Sequence, residues 1–117
     1  MEELCVHPYL ENETPLEILM GKCLNLRVLK LNNVLVKSVI KNTYYIKIET
    51  LVLNTVNLND VSISNIPFGD MNQLNCLDLR NNGITGKCFP HLNRIYKRLG
   101  KLNLSGNPLH NATSEKL

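Results

Sequence analysis

Two stretches near the end of the chain share one pattern, LNCLDLRNNGI at residues 74–84 and LGKLNLSGNPL at residues 99–109. Each has apolar residues at its first, fourth, sixth and eleventh positions and an asparagine at its ninth. The same apolar spacing begins upstream at Leu26 and Ile48, so that successive starts lie 22, 26 and 25 residues apart, and a degenerate copy begins at Met1. A period of about 20 to 50 residues predicts a chain of stacked, similar units.

The shared pattern, L-x-x-L-x-L-x-x-N-x-L, resembles the signature of leucine-rich repeats. The resemblance covers residues 1–117 as a single domain, with repeats starting near residues 1, 26, 48, 74 and 99. It implies an α/β fold, a solenoid with short parallel β-strands on its concave face and helices or irregular arms on its convex face. It also implies a non-catalytic module that binds another protein through the concave sheet.

The paired leucines in the middle of each repeat form the predicted core. Side chains alternate between the two sides of a β-strand, so these leucines should share the side that faces the interior. Stacked repeats would bury them as a continuous layer, which no single repeat could bury alone. The layer consists of Leu29, Leu31, Leu51, Leu53, Leu77, Leu79, Leu102 and Leu104.

The asparagines of the pattern have a predicted structural role at the turn that follows each strand. In the family such asparagines form a ladder that satisfies unpaired backbone groups, and Asn82 and Asn107 fit that role. The two earlier copies place Val34 and Val56 in the same slot, next to Asn33 and Asn57. Either the ladder stops halfway along the chain, or the register of the earlier copies is wrong by one residue.

The segments between the strands predict a mixed convex face. Residues 14–22 begin with a helix-capping sequence, and residues 90–99 carry apolar residues at helical spacing, so both segments should be helices. The pattern over residues 36–48 is only partly helical. Residues 61–71 contain Pro67 and Gly69, which favour a single turn or an irregular arm.

Composition favours a small soluble protein of ordinary charge. The net charge is +3, aromatic residues make up 5% of the chain, and no run of about eighteen apolar residues predicts a membrane span. The acidic start lacks the features of a secretory signal, so we expect a cytoplasmic protein. The 17 asparagines, with frequent isoleucine and lysine, resemble proteins from AT-rich genomes, including those of some protozoa and large DNA viruses.

The outward residues of the strands form the predicted binding surface. Aligned across the repeats they make three columns, the first from Glu3 to Lys101, the second from Cys5 to Asn103 and the third from His7 to Ser105. Arginine is favoured at binding hot spots, so Asp78 with Arg80 is the predicted energetic centre. The predicted partner-binding residues are Lys30, Asn32, Asn54, Asp78, Arg80 and Asn103.

No catalytic, cofactor or metal site is predicted. Cys5 and His7 share a strand face, but no third group is placed to orient the histidine. A zinc site that joins these two residues to Cys76 would have to span about 14 Å of sheet, because three strand spacings separate them. The sequence contains no recognisable phosphate-binding loop and no pair of carboxylates suited to catalysis.

A secreted recognition protein is the main alternative function. It would require a processed leader, oxidised cysteines among Cys5, Cys23, Cys76 and Cys88, and glycans on the sequons at Asn12 or Asn111. The cysteines are not clustered as in extracellular caps of the family, so free thiols are favoured. A third sequon begins at Asn103, which lies in a predicted strand.

RNA binding through the last helix is a further alternative. Basic residues concentrate there, and a basic patch can bind phosphates by releasing counterions. No aromatic residues are interleaved to stack bases, and the opposite end of the chain is acidic. A solvated helix face is therefore the preferred interpretation of Arg94, Lys97 and Arg98.

The last repeat predicts self-association. Terminal strands of a solenoid expose a core edge and unpaired backbone groups unless a polar cap covers them. After Leu109 only eight residues remain in this sequence, and the fuller caps of the family are missing from it. The weakly capped C-terminal edge is thus a candidate contact between copies of the chain.

Overall fold

The computed structural model of the chain describes residues 3–6, 25–33 and 47–109. Several sequence predictions lie outside these residues. They are the helix at residues 14–22, the segment 36–46, the sequons at Asn12 and Asn111, and the roles of His7, Cys23 and Val34.

Within these residues, five strands form one parallel sheet in chain order. They are β1 (Glu3–Val6), β2 (Val28–Asn32), β3 (Thr50–Asn54), β4 (Cys76–Asp78) and β5 (Lys101–Asn103). The residues in register at the strand starts are Glu3, Val28, Thr50, Cys76 and Lys101. They lie 25, 22, 26 and 25 residues apart, so the period of the sequence is also the period of the sheet.

The alternation of the strands separates a buried face from a polar one. In β2 and β3 the leucines are buried while their neighbours are half-buried. Six of the eight predicted core leucines, those of β2 and β3 together with Leu77 and Leu79, are at most 2% exposed. Leu102 and Leu104 are only half-buried and pack against the core, because β5 is the last of the described strands.

One hydrogen-bonding arrangement recurs where β2, β3 and β4 begin. The Arg27 carbonyl accepts two backbone N–H groups of the next unit, at 2.7 and 3.1 Å. The Glu49 carbonyl does the same at 2.8 and 3.0 Å, and the Asn75 carbonyl at 2.7 and 3.0 Å. These residues occupy the second position of the predicted repeats, so equivalent positions in sequence make equivalent bonds.

A second arrangement recurs after the ends of β2, β3, β4 and β5. Asn33, Thr55, Asn81 and Gly106 occupy equivalent positions, and all four have φ between +56° and +74°. The N–H groups of the first three donate to the carbonyls of Asn54, Arg80 and Ser105 respectively, at 2.9 to 3.0 Å. The left-handed conformation turns the chain out of the strand while its backbone stays bonded to the next unit.

Asn82 and Asn107 form hydrogen bonds with the main chain at the turns that follow β4 and β5. The Asn82 Oδ1 atom accepts the backbone N–H groups of Val56 and Leu58, each at 3.1 Å. Its Nδ2 donates to three carbonyls, including Leu53 O at 2.8 Å and Leu79 O at 3.0 Å. Asn107 makes the equivalent bonds one unit later.

Val56 lies in the asparagine slot of the preceding unit and is fully buried. The pairing of Leu51 with both Leu29 and Leu77 shows that the register of this unit is the expected one. Of the two alternatives, the ladder therefore stops at Asn82, and valine fills the slot with an apolar side chain.

The connections after β3 and β4 contain short helices whose apolar residues join the same core. Helix α1 (Asp60–Ser64) is capped by Asn59, whose Oδ1 accepts the Ser62 N–H at 2.9 Å, and a 3-10 turn spans Phe68–Asp70. Helix α2 covers Phe89–Tyr96, so the helix predicted at residues 90–99 ends three residues earlier than expected. The described residues thus form an α/β arrangement with a parallel sheet.

Candidate binding surface on the sheet

We call the side of the sheet opposite the buried leucines the polar face. Its residues in register form the first predicted column, from Glu3 to Lys101, and the second, from Lys30 through Val52 and Asp78 to Asn103. Asn32 and Asn54 pair in the third column, and Arg80 and Ser105 follow the ends of β4 and β5. The side chain of His7 lies outside the described residues.

Asp78 and Arg80 form an ion pair on the polar face. The Arg80 Nε atom lies 2.9 Å from both carboxylate oxygens, and the Arg80 backbone N–H donates to Oδ1 at 3.1 Å. The Asp78 side chain is 12% exposed, whereas the Arg80 side chain is 40% exposed. The carboxylate is thus largely covered, and it orients a guanidinium that solvent can reach.

Three asparagines form a hydrogen-bonded row across β2, β3 and the corner after β4. Asn54 Nδ2 donates to Asn32 Oδ1 at 3.3 Å, and Asn81 Nδ2 donates to Asn54 Oδ1 at 3.0 Å. The sequence predicted Asn32 and Asn54 but missed Asn81, because alternation along a strand does not place a residue beyond its end. The signal for Asn81 was its position in the repeat, one residue before the slot of Asn82.

Asn103 and Lys30 occupy opposite parts of the polar face. Asn103 is in register with Asp78, and its Oδ1 accepts both the Ser105 N–H at 3.0 Å and the Ser105 hydroxyl at 2.7 Å. Lys30 forms a long ion pair with Glu3, 3.9 Å from Nζ to Oε1. Val52 lies between Lys30 and Asp78 in the register, so Lys30 is separate from the Asp78–Arg80 pair.

Asp60, which the sequence did not single out, ties α1 to the loop before α2. Its carboxylate accepts the Thr85 N–H at 2.9 Å, the Thr85 hydroxyl at 2.8 Å, the Gly86 N–H at 3.2 Å and the Cys88 N–H at 3.0 Å. Burial raises the pKa of Asp60, but the hydrogen bonds from Thr85 and Cys88 outweigh it and lower the pKa to about 2. Asp60 is therefore a structural anion.

The thiol of Cys88 belongs to the same cluster. Burial raises its pKa to about 12, and the Asp60 carboxylate beside it acts in the same direction. A thiol with this pKa is protonated at neutral pH and is a poor nucleophile. Both Cys76 and Cys88 are free cysteines.

The basic residues of α2 and the turn after it divide into two kinds. Arg94 and Lys97 are exposed, as a solvated helix face requires. Arg98 departs from that interpretation, because its Nη2 donates to the carbonyls of Phe68 at 3.2 Å and Met71 at 3.3 Å. Its charge helps to fasten the 3-10 turn to the end of α2, a role that its sequence neighbours could not reveal.

Within residues 3–6, 25–33 and 47–109, no three histidine, cysteine, aspartate or glutamate side chains are grouped so that they could hold a metal ion. In the same ranges no helix is long and apolar enough to cross a membrane. Comparison of the chain with models of protein families, with curated proteins and with solved structures finds no match. The polar face and its contacts are therefore the basis for a functional inference.

Proposed function

We propose that the chain is a leucine-rich repeat solenoid that binds another protein through its concave parallel sheet, without catalysis. The observation that carries the proposal is the polar face, on which Asp78 holds the guanidinium of Arg80 in a fixed and accessible orientation. A preoriented side chain loses less conformational entropy on binding than a free one, which is a property of binding hot spots.

The recurrence of backbone bonds supports the repeat architecture. Equivalent positions accept two N–H groups at the starts of β2, β3 and β4 and adopt positive φ after the ends of β2 to β5. Successive strand starts lie 22 to 26 residues apart, within the range of about 20 to 29 for the repeat length of leucine-rich repeats. The partial ladder of Asn82 and Asn107 fits the same family pattern.

The size of the sheet limits the kind of partner. Five strands about 4.8 Å apart span about 19 Å, and strands of four residues are about 13 Å long. The face therefore covers about 250 Å², against about 800 Å² that each partner buries in a standard protein interface. A single extended segment, loop or helix of the partner fits such a face.

Affinity capture with two matched variants tests the proposal. Arg80→Gln removes the charge at the polar face, while Arg94→Gln makes the same change on the exposed side of α2. We expect Arg80→Gln to lose partners that the wild-type protein and Arg94→Gln retain in extracts of the native source, as identified by mass spectrometry. Equal recovery by both variants, with unchanged thermal unfolding, would contradict binding through this face.

A secreted recognition protein is the competing proposal. It predicts disulfides and glycans, whereas Cys76 and Cys88 are free in the structure and Asn103 lies in β5 with its side-chain oxygen already bonded to Ser105. The intact mass of the natural protein under non-reducing conditions separates the two. Reduced cysteines without added sugar mass support the interaction module, and disulfides with glycans support secretion.

A specific observation also favours contact between copies of the chain. Beside β5 lies a groove of about 490 Å³, lined by Tyr96, Lys97, Leu99, Gly100, Lys101, Leu102 and Leu104. Among the described strands β5 pairs only with β4, so no described strand occupies its other edge, and an unpaired strand edge can pair with another chain. Sedimentation over micromolar concentrations should show a mass that rises with concentration, and a constant monomer mass would refute this contact.

A further inference from the structure

We propose that the polar face recognises an acidic segment of its partner, one that presents at least two carboxylates to Arg80 and Asn103. The proposal rests on the proposed function and names the partner's chemistry. It follows from which hydrogen-bonding groups of the face this chain already uses and which it leaves for a ligand.

Five acceptor oxygens of the polar face already accept hydrogen bonds from within the chain. Each carbonyl or carboxylate oxygen has two lone pairs. Oδ1 of Asp78, Oδ1 of Asn54 and Oδ1 of Asn103 each accept two hydrogen bonds. Asn32 Oδ1 and Asp78 Oδ2 each accept one.

Several donors of the same face are left without an acceptor in the described part of the chain. Among the described residues, Nη1 and Nη2 of Arg80 and Nδ2 of Asn103 and Asn32 donate no hydrogen bond. The orientation of the Asn103 amide is fixed, because the Ser105 backbone N–H can only donate and must face the oxygen. A ligand rich in acceptors would satisfy these donors.

The exposed charges of the face favour an anionic ligand in the same region. The Arg80 side chain is more exposed than that of its ion-pair partner Asp78, and Lys101 is exposed on the neighbouring strand. The exposed carboxylate of Glu3 is on β1, three strands away from β4 and thus about 14 Å from it. Charge and hydrogen bonding consequently point to the same end of the sheet.

The chemistry of Arg80 fits a carboxylate in particular. With Nε held by Asp78, the two terminal nitrogens form a planar fork that can bind both oxygens of one carboxylate. The described residues of the polar face include no aromatic side chain on which bases could stack, so a nucleic acid would gain phosphate contacts alone. An acidic protein segment is the better match.

Titration of the ¹⁵N-labelled full chain with hexaglutamate tests the proposal. We expect saturable shifts of the Arg80 Nε–H and Asn103 Nδ2–H₂ resonances, with a Kd on the order of 1 mM that weakens with added salt. Hexalysine should leave these resonances in place. A uridine oligonucleotide that shifts them at lower concentration than hexaglutamate would overturn the proposal in favour of nucleic acid.

Matched variants locate the site. Arg80→Gln should weaken hexaglutamate binding at least fivefold, Arg80→Lys should give an intermediate loss, and Arg94→Gln should leave it unchanged. Shifts confined to Arg94 and Lys97 would show that the peptide binds the basic helix and would refute the proposal. The wild-type resonances decide the matter even if Arg80→Gln fails to fold.

The result is separable from that of the proposed function. If partner capture depends on Arg80 while hexaglutamate produces no shift at the face, the face binds a protein but the acidic assignment is wrong. If hexaglutamate binds at Arg80 while capture is insensitive to Arg80→Gln, the acidic site stands and the captured partner uses another surface.

Discussion

Replacement of Asn82 by alanine removes five hydrogen bonds between its side-chain amide and the main chain. The N–H groups of Val56 and Leu58 then lose their acceptor, and three carbonyls lose a donor. A backbone group left without a partner costs about 1 to 3 kcal/mol when it is buried and less when water reaches it. Because the site is half-buried, we expect Asn82→Ala to lower the free energy of unfolding by about 3 kcal/mol.

Urea unfolding of three variants measures this effect. Asn107→Ala breaks the same number of bonds beside the last strand, so we expect a smaller loss, about half as large, since water can replace more of the amide. Asn93→Ala, on the exposed side of α2, should change stability by less than about 0.5 kcal/mol. An Asn82→Ala midpoint equal to that of Asn93→Ala would refute the structural role of the ladder.

Three further variants probe contacts that hold the units together. Asp60 has a pKa of about 2 in the folded chain against 3.8 unfolded, so its ionisation should add about 2 kcal/mol to the free energy of unfolding above pH 4. This contribution should be lost as the pH falls toward 2. Asp60→Asn should therefore reduce the change of the urea midpoint between pH 4 and pH 2, and a pH profile identical to that of the wild type would exclude the effect. Thr55 is β-branched and has a φ of +56°, a conformation that asparagine adopts at the equivalent position 81. Thr55→Asn should therefore raise the free energy of unfolding by about 1 kcal/mol, and a lower melting temperature of the variant would contradict backbone strain at this position. Arg98→Gln should destabilise the fold by about 1 kcal/mol because it loses two hydrogen bonds to carbonyl groups, while Arg94→Gln should not. Equal melting temperatures of the two variants would show that Arg98 does not stabilise the fold.

The leucine spacing was sufficient to predict the strand register. A shift of one residue would have moved Leu51 and Leu53 from the core to the polar face, so burial permits only one register. The same reasoning predicted that Asp78 and Asn103 lie in register on neighbouring strands. Leucine spacing did not decide whether Val56 ends the asparagine ladder or reflects a register shifted by one residue, because valine is apolar in either register.

Contacts between units were harder to predict. Asp60 meets Thr85 and Cys88, and Arg98 meets Phe68, in each case across 25 to 30 residues of sequence. Periodicity says which residues occupy equivalent positions, but the length and path of each connection decide which side chains meet. The role of Asn81 likewise depends on a left-handed backbone conformation after β4, which strand alternation does not describe.

Hydrogen exchange of the protein with its captured partner is the most direct test of binding through the polar face. We predict slower amide exchange in peptides that cover residues 50–55, 76–82 and 101–107, and unchanged exchange in α2. The same peptides should keep their free-state exchange rates when the partner is mixed with Arg80→Gln. Protection centred on residues 89–98, with the strands unaffected, would show that the partner binds the opposite side of the molecule.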